Sequence, residues 1–255
     1  MSDPRPDYVQ SLERGLAVLT TFSGETPALT LSDVARRTGL TRATARRLLL
    51  TLEELGYVGS DGRLFRLRPK VLGIGYAYLS SVPVAEIAVP YMEELGTALH
   101  ESSSAAILDG DDIVYIARVP AKRIMSIGLA VGSRLPAHAT SMGRVLLAGL
   151  CPADLESFMN TATLTRLTER TVTDPCRLRE IIEETRRRGW SLVDQELEDG
   201  LRSIAAPLRD GSGRAVAALN VSAHAGRVTK ERLVTEFVPR LVDAAARIST
   251  ALGAR

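Results

Sequence analysis

Cysteine and histidine are scarce in this chain of 255 residues. The two cysteines, Cys151 and Cys176, form no CxxC pair, and the three histidines lack the spacing of metal ligands. This pattern excludes a disulfide framework and predicts neither a metal site nor a bound cofactor. Two unpaired thiols are typical of a reducing cytoplasm, which is where we expect the protein to act.

The sequence also lacks the segments that direct a protein into or across a membrane. No apolar run approaches the roughly 18 residues that a membrane-spanning helix needs. The first seven residues are polar and contain acids, unlike a secretory signal. We therefore expect no membrane partner.

Familiar catalytic motifs are missing as well. No serine lies in a G-x-S-x-G elbow, and neither a P-loop nor a dinucleotide-binding glycine fingerprint is present. A triad can be assembled from Ser141, His138 and Asp194, but nothing in the spacing of these residues joins them. The sequence therefore disfavours an enzyme, and a GAF-like sensory or enzymatic protein stays as the alternative from another class.

Positive charge is concentrated in one part of the chain. Residues 36–70 contain nine basic and three acidic residues, a net charge of +6, whereas the whole chain carries only +2. A local basic excess on a nearly neutral background is typical of phosphate binding. This segment is therefore the candidate for contact with nucleic acid.

The same segment has the pattern of a helix-turn-helix. Thr30 to Asp33 resemble a capping box that begins a helix over 31–38, Gly39 suits a tight turn, and Thr41 caps a second helix that ends near Leu55. One face of the second helix is predicted to be apolar, through Ala45, Leu48, Leu52 and Leu55. Its exposed start carries the residues that we expect to contact operator DNA, namely Thr41, Arg42, Thr44, Arg46 and Arg47.

A hairpin follows this second helix. Asp61 and Gly62 form a turn signal between two alternating segments, 57–60 and 63–67, so they predict a wing that presents Arg63 and Arg66. An arginine-rich helix face by itself is usually only a solvated surface. The adjacent hairpin and the local charge favour binding to double-stranded DNA.

Two further helices are predicted around this motif. A helix over 11–22 should pack beneath it through Leu12, Leu16, Leu19 and Phe22. Pro69 begins a connecting helix over 69–81 that is apolar around much of its circumference, which predicts burial in a dimer contact. We expect a DNA-binding domain over 1–68, a linker helix over 69–82 and a second domain over 83–255, and the apolar linker helix predicts a homodimer.

The last two thirds of the chain predict an α+β domain. Helices are expected over 84–100, 139–150, 175–188 and from Thr229 to about 252. Strands are expected over 104–108, 113–118, about 123–127, 190–194, 204–208 and 215–222. Polar residues near three of these elements predict a ligand pocket: a helix start at Ser141, the pair Arg202 and Ser203, and a strand that places Asn220 and Ser222 on one face.

The chain resembles the IclR family of bacterial transcriptional regulators. The resemblance rests on five segments in order, which are 11–19 (SLERGLAVL), 31–48 (LSDVARRTGLTRATARRL), 135–148 (LPAHATSMGRVLLA), 200–207 (GLRSIAAP) and 218–222 (ALNVS). It implies an N-terminal winged helix-turn-helix, a linker helix and a C-terminal GAF/profilin-like effector domain, in a dimer or a dimer of dimers.

The resemblance also implies an effector site. Its residues here are Ile124, Ile127, Ser141, Met142, Val193, Ser203, Asn220 and Ser222. Some relatives have an acidic residue where this chain has Val193, a departure that leaves the identity of the effector open. Helix-start N–H groups and the hydroxyls would bind the carboxylate of a small acid, with Arg202 and His138 as further candidates.

Two segments, 7–18 and 193–203, resemble one branch of the family in particular. That branch regulates the catabolism of protocatechuate, 4-hydroxybenzoate and β-ketoadipate. The resemblance therefore implies a ligand-responsive regulator of a catabolic operon for aromatic acids. A regulator of glyoxylate or sugar-acid metabolism is the alternative on the same scaffold.

Overall fold

The computed structural model describes residues 8–79, 84–121 and 129–254. The chain divides into two compact units, Met1–Ser81 and Val82–Arg255. The predicted strand at 123–127, together with Ile124 and Ile127, lies outside the described residues.

The first unit is a winged helix-turn-helix. Its elements are α1 (Gln10–Thr20), β1 (Ala28–Thr30), α2 (Leu31–Thr38), α3 (Arg42–Glu54), β2 (Val58–Ser60), β3 (Leu64–Leu67), a 3₁₀ turn (Pro69–Val71) and α4 (Leu72–Leu79). The strands form an antiparallel sheet in the order β1-β3-β2. Sequence patterns predicted β2 and β3 but not β1, a three-residue strand that is too short for alternation to show.

Local hydrogen bonds explain how α2 and α3 begin. The Thr30 side chain accepts from the Asp33 backbone N–H, and the Asp33 carboxylate accepts from Thr30, so the predicted capping box is present. Gly39 adopts φ +67°, the left-handed conformation that ends α2. The Thr41 side chain accepts from the Thr44 N–H at 3.2 Å and caps α3.

The buried residues of this unit differ from the apolar faces that the sequence predicted for α1 and α3. In α3, Leu49 is buried and Leu48 half-buried, whereas Leu55 is exposed because the helix ends at Glu54. In α1 the inward side is the one that carries Val18, with Phe22 just beyond the helix end. Leu12 and Leu16 lie on the opposite side, where they are 61% and 52% exposed.

The sequence predicts that the connecting helix begins at Pro69, whereas the structure has a 3₁₀ turn over Pro69–Val71 before α4. Leu72 and Ile74 are both exposed within the single chain. Among the described residues of this segment, Leu72 and Ile74 therefore do not show the predicted burial within one chain.

The second unit is built on a six-stranded antiparallel sheet in the order β6-β5-β4-β9-β8-β7. Its strands are β4 (Ser102–Asp109), β5 (Asp112–Val119), β6 (Arg134–Pro136), β7 (Ser191–Asp194), β8 (Leu201–Arg209) and β9 (Ala215–His224). Its helices are α5 (Val84–Leu99), α6 (Ser141–Ala148), α7 (Pro152–Thr161), α8 (Pro175–Arg188), α9 (Lys230–Arg232) and α10 (Val238–Ala251). α5 and α10 pack on one face of the sheet, while α6 covers the other and is itself covered by α8.

Three features of this unit depart from the sequence prediction. The short strand β6 and the helix α7 were not predicted. The last helix is not uniform, because a π-helical segment over Leu233–Phe237 separates α9 from α10. Pro239 is the second residue of α10, and because a proline has no N–H to donate to the preceding turn, the regular pattern of helical hydrogen bonds is interrupted there.

Candidate functional site

The start of α3 carries an uncompensated positive surface. Arg42, Arg46 and Arg47 are exposed, and within the described part of the chain their side chains have no hydrogen bond or ion pair. The Thr41 and Thr44 hydroxyls lie 2.9 Å apart at the same end of the helix. Three cations without partners beside two hydroxyls are suited to phosphate and base-edge contacts.

The wing is held by Asp61. Its carboxylate accepts from the backbone N–H groups of Arg63 at 3.1 Å and Leu64 at 2.8 Å, and from the Arg66 guanidinium at 3.0 Å. These hydrogen bonds, the backbone ones first, lower the pKa of Asp61 to about 2. The turn thus stays closed with an ionised carboxylate, which leaves Arg63 without a side-chain partner among the described residues and gives Arg66 one.

The second unit contains a cavity of about 290 Å³ between the first turn of α6, the 197–201 segment and the sheet. Four of the predicted site residues line it: Met142, Ser203, Asn220 and Ser222. Ser141 and Val193 lie next to it without being part of its lining. Ser141 begins α6, and its buried Oγ has no hydrogen-bond partner in the described structure. Val193 is the cross-strand partner of Ser203.

Strand register explains why these polar residues meet. Ser222 on β9 lies opposite Ser102 on β4 and Ser203 on β8, which gives one row of three hydroxyls. Asn220 lies opposite Ser104 on β4, and Ser104 lies opposite Arg118 on β5, which gives a second row. Paired residues of neighbouring antiparallel strands point to the same face, so both rows face α6.

Sequence reasoning did not identify several members of this site. Tyr115, Arg118 and Arg227 all line the cavity. The β4–β5 hairpin signal was present, but β5 has one extra residue opposite the step from Ala105 to Ala106, since Ala105 pairs with Ala117 and Ala106 pairs with Tyr115, and this extra residue forms a β-bulge. That bulge shifts the phase of the strand pairing, so a count of alternate positions in the sequence does not predict which side chains face the cavity.

Tyr115 supplies an uncharged polar group to the cavity. Burial raises the pKa of its phenol to about 12, despite the opposing effect of the Arg118 charge. The phenol therefore stays protonated at any physiological pH and acts as a neutral donor or acceptor.

Arg202 and His138, the further candidates for the carboxylate, are engaged in the structure. Arg202 donates to the Asp194 carboxylate and to the carbonyl oxygens of Ala225 and Val228 at 3.1 and 2.8 Å. A ring nitrogen of His138 lies 3.1 Å from the Thr165 carbonyl oxygen, and burial lowers the pKa of the imidazole. Both side chains therefore hold loops in place rather than face the cavity.

The same contacts exclude the triad of Ser141, His138 and Asp194. Asp194 is bound to Arg202 and to Lys230, whose Nζ lies 2.8 Å from the carboxylate, so it does not orient the imidazole. The Ser141 Oγ has no partner among the described residues. A nucleophile, a base and an orienting acid in contact are the minimum for this chemistry, and the arrangement does not provide them.

Arg144 anchors the first turn of α6 from behind. It is fully buried and donates to the Glu196 carboxylate through both terminal nitrogens, at 2.8 and 2.6 Å, and to the His138 carbonyl at 2.9 Å. Glu196 also accepts from the Val172 N–H at 3.0 Å. This buried ion pair holds the helix start against the segment that continues into residues 197–201 of the cavity wall.

Among the described residues, no cluster of histidine, cysteine, aspartate and glutamate is arranged to hold a metal ion. Within the same ranges, no helix is long and apolar enough to cross a membrane.

Comparison with known proteins agrees with this architecture. Residues 11–62 match the model of the IclR helix-turn-helix domain, and residues 76–250 match that of the bacterial transcriptional regulator IclR C-terminal domain. The Pca regulon regulatory protein of Pseudomonas putida is 50% identical over 240 residues, covering 94% of this chain and 82% of that protein.

Two other similar proteins concern aromatic acids by name. The p-hydroxybenzoate hydroxylase transcriptional activator of Acinetobacter baylyi is 35% identical, over 94% of this chain and 90% of that protein. A crystal structure of an IclR homologue from Microbacterium hydrocarbonoxydans, in complex with 4-hydroxybenzoate, is 28% identical with a TM-score of 0.84 and covers 95% of this chain and 99% of that one.

Proposed function

The chain belongs to the IclR family of bacterial transcriptional regulators, and we propose that it controls a catabolic operon for aromatic acids by binding a small carboxylic acid. The observation that carries this proposal is the pairing of a cationic, unpartnered α3 surface in one unit with a polar-lined cavity in the other. The names of its relatives, which concern Pca genes and p-hydroxybenzoate, support the aromatic branch. The protein would act in the cytoplasm, where its operator lies.

For the DNA contact, we assign the residues at the start of α3 and on the wing. Arg42 and Arg46 are the preferred base readers, since bidentate arginine contacts to guanine are the commonest specific contacts in a major groove. Thr41, Thr44 and Arg47 are assigned to phosphate or base contacts at the same helix end. Arg63 and Arg66 are assigned to the backbone or the minor groove, with Arg66 exchanging its Asp61 partner for phosphate.

For the effector, we assign the cavity beside α6. Ser203, Asn220, Ser222 and Met142 line it, Ser141 and Val193 border it, and Ile124 and Ile127 are retained from the family resemblance. An apolar wall with a few converging polar groups suits a small acid such as 4-hydroxybenzoate, protocatechuate or β-ketoadipate. We assign residues 1–68 to DNA binding, 69–82 to the linker helix and 83–255 to effector binding.

For the assembly, we propose a homodimer formed by the first unit, with tetramers formed through effector domains. Tyr8, Val9, Leu12 and Leu16 make an exposed apolar face on α1, and Leu72 and Ile74 make another on α4. Exposed apolar faces of this kind are typical of protein interfaces. A dimer also explains how one small motif reads a two-fold operator. Sedimentation at micromolar concentration with a monomer mass would contradict this assembly.

The experiment that tests the function measures operator binding and effector response together. Selection from a random duplex library supplies the operator, and fluorescence anisotropy then measures its affinity as a function of salt and of added acids. We expect a steep fall of affinity with salt, because phosphate contacts release counterions. At least one aromatic or dicarboxylic acid should shift the operator affinity, and the operator should shift the affinity for that acid by the same factor. A response to glyoxylate or sugar acids alone would favour the other branch of the family, and no selective DNA binding would refute the function.

A further inference from the structure

Arg118, which borders the effector cavity, has no ion-pair partner among the described residues, although the carboxylates of Glu101, Glu198 and Asp199 also line that cavity. Arg118 on β5 is half-buried and lines the cavity, and its only side-chain hydrogen bond in the described structure is a long one, 3.4 Å, to the Ser104 hydroxyl. The other cavity arginine differs, because Arg227 donates to the buried Glu101 carboxylate at 3.2 Å. Removing a cation partly from water without a paired anion costs free energy. Binding of an anion beside Arg118 is therefore favourable.

The other end of the same row disfavours an anion. Asn220 Nδ2 donates to the Ser222 hydroxyl at 3.1 Å, which sets the direction of the amide. Asn220 Oδ1 is buried and has no hydrogen-bond partner among the described residues. A carboxylate is an acceptor only, so it would face the Asn220 oxygen acceptor to acceptor, with no proton to share between them.

Because Arg118, Ser104 and Asn220 occupy adjacent positions on β5, β4 and β9, the cavity is polarised across the strands. The cationic end lies over β5 and β4, and the acceptor end lies over β9. Neighbouring strands are about 4.8 Å apart, so the two ends are separated by roughly two strand spacings at the backbone. A small organic acid fits this polarity in only one orientation.

We propose that Arg118 is the residue that binds the carboxylate of the effector, and that it selects anionic over neutral ligands. The inference rests on the proposed function, since it places the acid of that regulator within its cavity. The guanidinium offers two parallel N–H donors to the carboxylate. The Ser104 hydroxyl, which is buried, accepts from Arg118 and helps to hold the guanidinium beside the cavity. The far end of the acid then points toward Asn220.

The test compares acids with their neutral amides by isothermal titration calorimetry on the full-length protein. The probe pairs are monocarboxylic acids with their amides, 4-hydroxybenzoate with 4-hydroxybenzamide and benzoate with benzamide. The wild type should prefer the acid of the pair that binds. Arg118→Gln should weaken binding of that acid at least about tenfold, because hydrogen bonds between charged groups are lost, and should change amide binding less than about threefold. The acid affinity of Arg118→Lys should lie between those of the wild type and Arg118→Gln, since an ammonium keeps the charge but not the bidentate geometry.

Two variants serve as controls. Arg177→Gln removes an exposed arginine of α8 in the same unit and should bind both probes like the wild type. Arg227→Gln removes the other cavity arginine, already paired with Glu101, and should weaken acid binding less than Arg118→Gln does.

The outcomes separate this inference from the proposed function. Loss of the preference for acid over amide in Arg118→Gln, with the amide still bound, supports the inference, because a collapsed cavity would lose both. An acid that binds Arg118→Gln as tightly as the wild type, or equal wild-type affinity for acid and amide, overturns the inference and leaves the regulator intact. A larger loss in Arg227→Gln than in Arg118→Gln also overturns it. If no acid binds the wild type or alters its operator affinity, the proposed function fails together with the inference.

Discussion

The two units solve opposite problems with arginine. In the DNA-binding unit, Arg42, Arg46 and Arg47 are exposed and unpaired within the described structure. In the effector unit, Arg144 and Arg202 are buried or nearly so, and each is bound to a carboxylate. The difference follows from solvation: water stabilises a free cation at a surface that waits for phosphate, whereas a buried cation needs a partner within the fold. Arg118 differs from both, because it is half-buried and has no carboxylate partner among the described residues.

The units also differ in how far apart their functional residues lie in the sequence. The proposed DNA contacts lie between Thr41 and Arg66, so one helix and one hairpin place them all. The cavity joins Ser102 on β4 to Ser222 on β9, which only the pairing of those strands brings together. A local surface thus tolerates change in the rest of the molecule, while the cavity depends on the whole sheet.

The largest expected effect comes from breaking the buried pair of the effector unit. Glu196→Gln leaves the Arg144 guanidinium buried without a counter-charge, and should destabilise this unit by about 3–5 kcal/mol. Urea unfolding followed by the fluorescence of Trp190, the only tryptophan in the chain, reports on the same unit. The matched control is Glu156→Gln, which breaks an exposed pair with Arg179 and should cost far less, since exposed ion pairs contribute little to stability. Equal costs for the two variants would contradict the contrast between buried and exposed pairs.

The next effect concerns the DNA-binding surface. Arg46→Ala should weaken operator binding by about 1–3 kcal/mol while leaving effector affinity unchanged, because the side chain has no structural partner among the described residues. Fluorescence anisotropy with the selected operator measures the first quantity and calorimetry the second. Arg177→Ala, which removes an exposed arginine of the effector unit, is the control and should have no effect on either. Full operator affinity in Arg46→Ala would show that Arg46 does not contribute to operator binding.

A third effect concerns α2, the first helix of the helix-turn-helix, which precedes α3. Thr30→Ala removes the capping box of α2 and should destabilise the DNA-binding unit by about 1 kcal/mol. Hydrogen exchange should show faster opening of α2 and α3, with no change in the sheet of the effector unit. The control is Thr161→Ala, whose hydroxyl only bonds back to its own helix at Ser157. Slower exchange in the first unit, or a change confined to the second, would speak against local capping.

A fourth, smaller effect concerns the hydroxyls of the cavity. Ser222→Ala should weaken effector binding by about 0.5–1.5 kcal/mol, and Ser141→Leu should likewise blunt the ligand response. Operator binding without ligand should remain nearly unchanged in both. The exposed Ser157→Ala provides the control. If both cavity variants respond at the wild-type ligand concentration, the effector binds elsewhere.

The smallest effect is a pH dependence confined to one unit. All three histidines lie in the effector unit, and burial lowers the pKa of His138. Above about pH 6.5 His138 is neutral in both the folded and the unfolded chain, so it does not reduce the stability of the effector unit. As the pH falls below about 6.5, His138 binds a proton more readily in the unfolded chain than in the folded one, and the effector unit loses stability. Urea midpoints at pH 7.5 and 5.5 measure the loss, and His138→Gln should reduce it. An equal slope in the variant would assign the dependence to other groups.

Particular residues show where sequence patterns succeed and where they fail. The capping box at Thr30, the cap at Thr41 and the turn at Asp61 all follow the prediction, because each depends on hydrogen bonds between residues three positions apart. The inward side of α1 was wrong, since Leu12 and Leu16 are as apolar as Val18. Periodicity alone does not say which of two apolar sides meets the core and which is left for a partner.

By itself, the sequence determined the winged helix-turn-helix, the location of its positive charge, the α+β character of the second unit and the residues that its polar strand contributes. These properties come from short-range hydrogen bonds and from side-chain period, which neighbouring residues carry in full. Only the tertiary structure decided which arginines border the cavity and which form ion pairs with Asp194 and Glu196. It also decided how Ser102, Ser203 and Ser222 meet. Strand order and a bulge set those neighbours, and the desolvation of each charge depends on the neighbours that the fold brings to it.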